Sequence, residues 1–170
     1  MTAEGWYRAF YGYYYDNWDS GLKINQQEIQ AHTKDKEWTK LMKNFLHRLA
    51  DHLGYQISQE TVRIDHIWEK GHDIIAIEHE NNPDGIINEV ENLNAIQANL
   101  KVLITYFSED DYTWRPYREL QKVCEKLSRN NTSEFLFVYA SWGKEGNSYD
   151  WAAYRIYPEM NLRIDTVSPK

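Results

Sequence analysis

The segments Arg63-Ile64-Asp65-His66-Ile67-Trp68 and Ile74-Ile75-Ala76-Ile77-Glu78-His79-Glu80-Asn81 decide the fold of this chain of 170 residues. Their apolar, β-branched residues predict two short strands, and residues 69–73 between them predict a turn. Carboxylates end or interrupt both strands, although strands are depleted in Asp. An acid that faces a core is costly unless it is paired or bound to a metal. The two segments therefore indicate a sheet and, at its end, a candidate site.

Alternation along the second strand places its acids on one side. Side chains that alternate with a period of two put Glu78 and Glu80 on the face of Ile74 and Ala76, and His79 on the opposite face. If the two strands are neighbours, Asp65 joins the acids of the second strand. Three convergent oxygen ligands suit Mg²⁺ or Mn²⁺ better than Zn²⁺. Solvated acids at strand ends are the simpler alternative, and the spacing alone does not choose between the two.

The composition is typical of one soluble globular domain. Hydrophobic residues make up 42% of the chain and charged residues 26%, and the length is sufficient to bury a core. No apolar run is long enough to cross a bilayer, and residues 1–6 lack the pattern of a secretory signal. We therefore expect a cytoplasmic protein without a membrane partner. The single Cys124 is expected to be a small buried hydrophobe on a helix.

The net charge of −7 argues against broad, non-specific affinity for nucleic acid. It does not exclude a nuclease, because carboxylates of a metal site add to the negative count. Aromatic residues are abundant, with 13 Tyr and 7 Trp, and many of them crowd into residues 6–18. Residues 1–32 show no single period. Their aromatic rings are expected to pack against the domain or a second copy, and stacking on bases is the alternative.

Periodicity along the rest of the chain predicts an α/β fold. Apolar residues at helical spacing predict a helix from Thr33 or Asp35 to Gly54, with Glu37 in its first turn. The later patterns predict these elements: a strand near 55–58, a helix over 86–100, a strand over 101–107, a helix over 117–127, and strands over 135–140 and 151–157. The order is helix, three strands, helix, strand, helix, strand, strand. It predicts a mixed central sheet with helices on both faces.

This order and the acid spacing resemble the PD-(D/E)XK nuclease superfamily, the restriction-endonuclease-like fold, and in particular its uncharacterised archaeal and bacterial branches. Asp65 matches the first acid of the family motif and Glu78 the second, and Glu37 matches a further Glu that members often carry on the preceding helix. The resemblance covers residues 33–107. It implies one domain over residues 1–170, with an aromatic-rich segment (1–32), a nuclease-like core (33–107) and a completing C-terminal part (108–170).

The resemblance implies metal-dependent hydrolysis of phosphodiesters, with DNA as the expected substrate. Asp65, Glu78 and the backbone carbonyl of His79 would hold Mg²⁺ or Mn²⁺, and Glu37 would be an outer or second-metal ligand. Glu80 stands where the family carries a lysine. Some members with Glu at this position are active, and others with broken motifs have lost catalysis. Glu80 is therefore expected to bind metal or to act as a general base for water.

Two other interpretations remain open at this stage. The missing lysine, the net charge and the aromatic N-terminal segment favour a catalytically inactive member of the fold that acts as a binding or assembly module, with a homodimer or a protein partner. A zinc site built from His66, His72 and His79 is a weaker interpretation, because its spacing is unusual and it leaves Asp65 and Glu78 without a role.

Overall fold

Seven strands and four α-helices form one α/β arrangement in the computed structural model, which describes residues 1–17, 34–58, 64–108, 113–127, 133–142, 151–157 and 163–168. The helices are α1 (Ala3–Asn17), α2 (Lys34–Leu53), α3 (Ile86–Ala95) and α4 (Arg115–Lys126), and a 3₁₀ turn (Pro83–Gly85) precedes α3. The strands are β1 (Gln56–Ser58), β2 (His66–Lys70), β3 (Asp73–Glu80), β4 (Leu100–Ser108), β5 (Glu134–Trp142), β6 (Trp151–Tyr157) and β7 (Arg163–Val167).

The sheet is mixed, and its strands lie side by side in the order of the chain. The first three strands form an antiparallel meander, β3, β4 and β5 are parallel, and β6 and β7 return antiparallel. The two parallel connections pass through α3 and α4, as a parallel pairing requires. The predicted mixed α/β sheet is confirmed.

The element order predicted from the sequence is the one found between α2 and β6, with two additions. Helix α1 and strand β7 were not predicted. Helix α3 ends at Ala95, so Leu100 belongs to β4 and not to the helix. The turn between the two acid-bearing strands is only Gly71 and His72. Thr33, one of the two predicted starts of α2, and residues 143–150 between β5 and β6 lie outside the described residues.

Helices cover both faces of the sheet and divide the core into two clusters. One face packs α1 and α2 against the strands, with Ile75, Val102 and Val138 at its centre. The other packs α3 and α4, with Ala76, Leu103 and Phe137 at its centre. Strand alternation explains the division, because neighbouring residues of one strand point to opposite faces. Cys124 is buried in the second cluster, as expected, and its burial raises the pKa of the thiol.

The aromatic N-terminal segment contributes a buried helix. Trp6, Tyr7, Phe10 and Tyr14 of α1 are at most 1% exposed and follow helical spacing. The Phe10 ring lies 5.3 Å from that of Phe45 in α2. Packing against the domain, one of the two kinds of packing expected for these rings, is therefore confirmed for α1. Among the described helices, none is long and apolar enough to span a membrane.

Candidate functional site

Asp65 and Glu78 meet at the end of β3, where the chain enters β2. The backbone N–H of Asp65 donates to Glu78 Oε2 at 3.0 Å, and the N–H of His79 donates to Asp65 Oδ2 at 3.1 Å. These two hydrogen bonds link Asp65, the residue before β2, to β3. The structure thus brings together the two acids that the sequence singles out.

Glu78 is an almost fully buried acid. Its side chain is 2% exposed, and its Oε1 receives no N–H or O–H bond from the described residues. The side chain that comes within hydrogen-bonding reach of Glu78 is another acid, Glu89. Burial, together with the neighbouring charges of Asp65 and Glu89, raises the pKa of Glu78 to about 9. Asp65 is exposed at the surface, but the protein around it still limits its hydration and raises its pKa. A buried acid with an unpaired oxygen is costly unless something binds it.

Two further acids border this pair. The Glu80 carboxylate accepts the backbone N–H of Asn82 at 2.7 Å and lies against Gly85, where a Cβ atom would collide with its Oε2. Glu89, in the first turn of α3, raises the pKa of both Glu78 and Glu80 by its charge. We name Asp65, Glu78, Glu80 and Glu89 the carboxylate cluster. Glu89 was not among the predicted site residues, although an acid in the first turn of the helix that follows an acid-bearing strand was a usable signal.

Helix α2 runs beside the cluster. Asn81 Nδ2 donates to Thr39 Oγ1 at 2.6 Å, which joins α2 to the end of β3. Glu37 lies in α2 two residues before Thr39, but its side chain falls outside the described residues. Its predicted role as an outer metal ligand therefore stays a prediction.

Lys43 of α2 carries a positive charge that acts on Asp65, as the weakest of the effects on the pKa of that acid. Its charge lowers the pKa of Asp65 against the raising effect of burial. Thr39, Lys43 and His47 are four residues apart and so share one face of the helix. Lys70 lies at the far end of β2 from the cluster, where its ammonium donates to the Leu53 carbonyl at 2.9 Å. Sequence analysis did not consider Lys43, and its spacing from Thr39 and His47 was the available signal.

His66 and His79 lie on the face of the sheet opposite Glu78, where α2 packs. His79 Nε2 and Tyr106 Oη are 3.0 Å apart, and the rings of His47 and His66 are 5.3 Å apart. His79 thus points away from the acids, as strand alternation predicts. His72 lies in the exposed turn beyond the other end of β2, about 20 Å along the strand from His66. The structure does not assemble the zinc site of His66, His72 and His79, so that interpretation is wrong.

The carboxylate cluster offers the type of ligand that a divalent cation prefers, but its side chains are not arranged to surround one. Carboxylate oxygens are the ligands that Mg²⁺ and Mn²⁺ prefer, and the unpaired Oε1 of Glu78 is a suitable donor. However, within the described part of the chain no three or more His, Cys, Asp or Glu side chains are arranged to hold a metal. The two central acids, with one oxygen each engaged by a backbone N–H, are the assembled part of such a site.

Acidification is expected to destabilise the fold through its buried histidines. Burial, with the charges of His47 and Lys43, lowers the pKa of His66 to about 3 from 6.5. Between these values the unfolded chain binds more protons, so the free energy of unfolding decreases as the pH falls from about 6.5. Urea unfolding of wild type and His66→Gln at pH 7 and pH 5 measures the effect. The loss between the two pH values should be smaller in the variant.

His72→Gln is the matched control for this experiment, because His72 is exposed in a turn. It should retain the full pH dependence of the wild type. Equal pH dependence in His66→Gln and wild type would show that His66 is not a buried neutral histidine.

Comparison with known proteins leaves the family of the chain open. No protein-family model matches it, and no curated protein matches it. Among solved structures, it is similar to the central domain of yeast acetyl-CoA carboxylase at a TM-score of 0.34 and 11% identity. The match covers 72% of this chain and 23% of that one, so this chain spans less than a quarter of its length. A similarity this low carries no conclusion about function.

Proposed function

We propose that the chain is a metal-dependent phosphodiester hydrolase that acts on DNA, with the carboxylate cluster as its site. The observation that carries the proposal is Glu78: it is 2% exposed, its Oε1 receives no N–H or O–H donor, and its neighbours are the acids Asp65 and Glu89. A second acid pressed against a buried first one raises the cost of ionising either. A bound cation removes that cost, which supports a cation-binding role for the pair.

Asp65, Glu78 and the carbonyl of His79 would hold Mg²⁺ or Mn²⁺, with Glu37 as an outer or second-metal ligand. The ion would supply Lewis-acid polarisation of the phosphate and a lower pKa for bound water. Lys43 is the residue we propose for the role of the missing family lysine, because its charge acts on Asp65. Its ammonium would stabilise negative charge on the phosphate.

Glu80 would position the site and act as its general base. Its carboxylate accepts the Asn82 N–H at 2.7 Å and so holds the turn that begins α3. Burial and the charges of Glu89 and Asp65 raise its pKa, which favours proton uptake at this position. A cytoplasmic location, expected from the sequence, is part of the same proposal.

The second candidate function is a catalytically inactive binding or assembly module with a homodimer or protein partner. The contacts of Glu80 with the turn before α3 favour this second function. They give Glu80 a structural role at the position where the family carries a catalytic lysine. The aromatic residues of α1 do not favour this second function, because the rings that are at most 1% exposed lie in the core and not on an assembly surface.

Calorimetric titration of Mn²⁺ into wild type and Asp65→Ala/Glu78→Ala tests the proposed site. We expect binding in the wild type and none in the double variant, together with nicking of supercoiled plasmid by the wild type alone. Glu91→Ala is the matched control, because Glu91 lies on α3 in a surface ion pair with Lys126 at 2.8 Å. Binding without cleavage would select the inactive module, and cleavage by the double variant would refute the site.

A further inference from the structure

We propose that β7, the last strand of the sheet, pairs with β7 of a second copy of the chain to form a symmetric dimer. Strand β7 has five residues and lies at one edge of the sheet, whereas β1 at the other edge has three. The backbone N–H and C=O groups of an edge strand are a template for a further strand. Four strand spacings separate β7 from β3 and its acids, so the inference is independent of the proposed hydrolysis.

The edge strand carries a large exposed apolar side chain. Ile164 is 42% exposed, although it pairs in register with Ile156, which is fully buried. Directly opposed residues of two strands point to the same face, so Ile164 extends the apolar face that α3 and α4 cover. Edge strands of monomers usually carry charged side chains or are covered by another element. The exposed isoleucine therefore favours a second chain beside β7.

One register of β7 against its own copy is complementary in charge. In a symmetric antiparallel pair, the residue on the two-fold axis faces its own copy. An axis at Ile164 brings the two isoleucines together and sets Arg163 opposite Asp165 of the second copy, once on each side of the axis. An axis at Arg163 or at Asp165 would set that charge opposite itself, which is destabilising. The sequence of β7 thus selects a second copy of β7 as its partner, with Ile164 at the centre.

The two charged side chains are already held in place within one chain. Arg163 Nη2 lies 3.0 Å from Asp165 Oδ2, and the Arg163 guanidinium lies 5.6 Å from the centre of the Tyr157 ring. Strand alternation places both charges on the face of Val167, which packs in the cluster beneath α1 and α2, and Ile164 on the opposite face. Side chains that are ordered before association lose less conformational entropy when a partner binds.

The size of the edge sets the strength and the limit of this assembly. A strand of five residues and its flanking side chains bury less than the roughly 1,200 Å² of total area from which stable complexes begin. We therefore expect a weak dimer whose population depends on concentration. Because the contact uses the same edge of both copies, it closes at two subunits and leaves no edge of this kind for a third.

Sedimentation equilibrium of the full chain over a series of concentrations tests the inference. The wild type should dimerise reversibly. Arg163→Asp and Asp165→Arg each set like charges opposite one another, so each should weaken dimerisation roughly tenfold or more. Mixed in equal amounts, these two variants should associate about as tightly as the wild type, because each supplies the charges that the other lacks. Glu91→Arg reverses a charge of a surface ion pair on α3 and, as the control, should dimerise like the wild type.

Several outcomes would overturn the inference. They are a wild type that stays monomeric at every concentration at which it is soluble, single variants that dimerise like the wild type, mixed variants that do not associate, and an assembly larger than a dimer. Recovery in the mixture also excludes misfolding as the cause of the losses in the single variants. Asp65→Ala/Glu78→Ala is expected to dimerise like the wild type, so the dimer and the proposed hydrolysis are tested separately.

Discussion

Replacing Glu78 with glutamine is expected to abolish tight Mn²⁺ binding and to reduce any plasmid nicking on the order of 100-fold or more. Glutamine has the shape of the protonated acid and can still accept the Asp65 N–H bond of 3.0 Å. It carries no negative charge, so the pair loses the donor that a cation needs. Titration calorimetry and a nicking assay measure the two effects.

The same variant is expected to change how stability depends on pH. Because the pKa of Glu78 is raised from 4.5 to about 9, the metal-free folded chain holds a proton there that the unfolded chain has lost. The contribution of Glu78 to the free energy of unfolding therefore decreases as the pH rises through that range. Urea unfolding at pH 7 and pH 9 should show Glu78→Gln gaining stability relative to wild type at the higher pH.

Proton release gives a third readout of this residue. A cation that binds the ionised acid must displace its proton, so Mn²⁺ binding at pH 7 should release protons in the wild type. Calorimetry in buffers of different ionisation heat detects that release. Wild-type binding with no proton release, or a Glu78→Gln variant whose stability follows the wild type at both pH values, would show that Glu78 is an ordinary ionised acid.

Replacing Phe10 with alanine is expected to cost about 3–5 kcal/mol of unfolding free energy. The Phe10 ring is 0% exposed and lies 5.2 Å from Trp6, 5.3 Å from Phe45 and 4.8 Å from Trp151. Its removal leaves a cavity where α1, α2 and β6 meet. Urea unfolding monitored by circular dichroism measures the loss.

Tyr15→Ala is the control for Phe10, because Tyr15 belongs to the same helix and is 39% exposed. It should cost clearly less than Phe10→Ala. Similar small losses in both variants would mean that α1 is only loosely attached to the domain, and the buried position of the Phe10 ring would then be refuted.

Sequence patterns predicted the sheet well because its strands have distinct, short signals. The run Lys101–Phe107 lacks alternation, and the structure explains this by helices on both faces of β4. Helix α1 was missed because aromatic residues occur all around it, at Tyr11 and Tyr15 as well as on the buried face. That uniformity hid the stripe formed by Trp6, Phe10 and Tyr14.

Only the acids of β3 and of the residue before β2 were predictable as parts of the candidate site. Alternation placed Glu78 opposite His79 and suggested Asp65 as a neighbour, and the structure brings the two acids together. Lys43 and Glu89 come from helices packed on opposite faces of the sheet, so their approach depends on tertiary packing. Sequence periodicity describes one helix or strand at a time. It therefore does not predict which residues of different elements come together.

During synthesis, Phe10 can pack against Trp151 only after Trp151 has been translated. Trp151 is translated about 140 residues after Phe10, a delay on the order of ten seconds at usual elongation rates. The sheet can grow strand by strand in that time, because each strand pairs with its neighbour in the chain. Helix α1 can pack against α2 early, but the part of its aromatic face that Trp151 covers stays open until β6 has been synthesised.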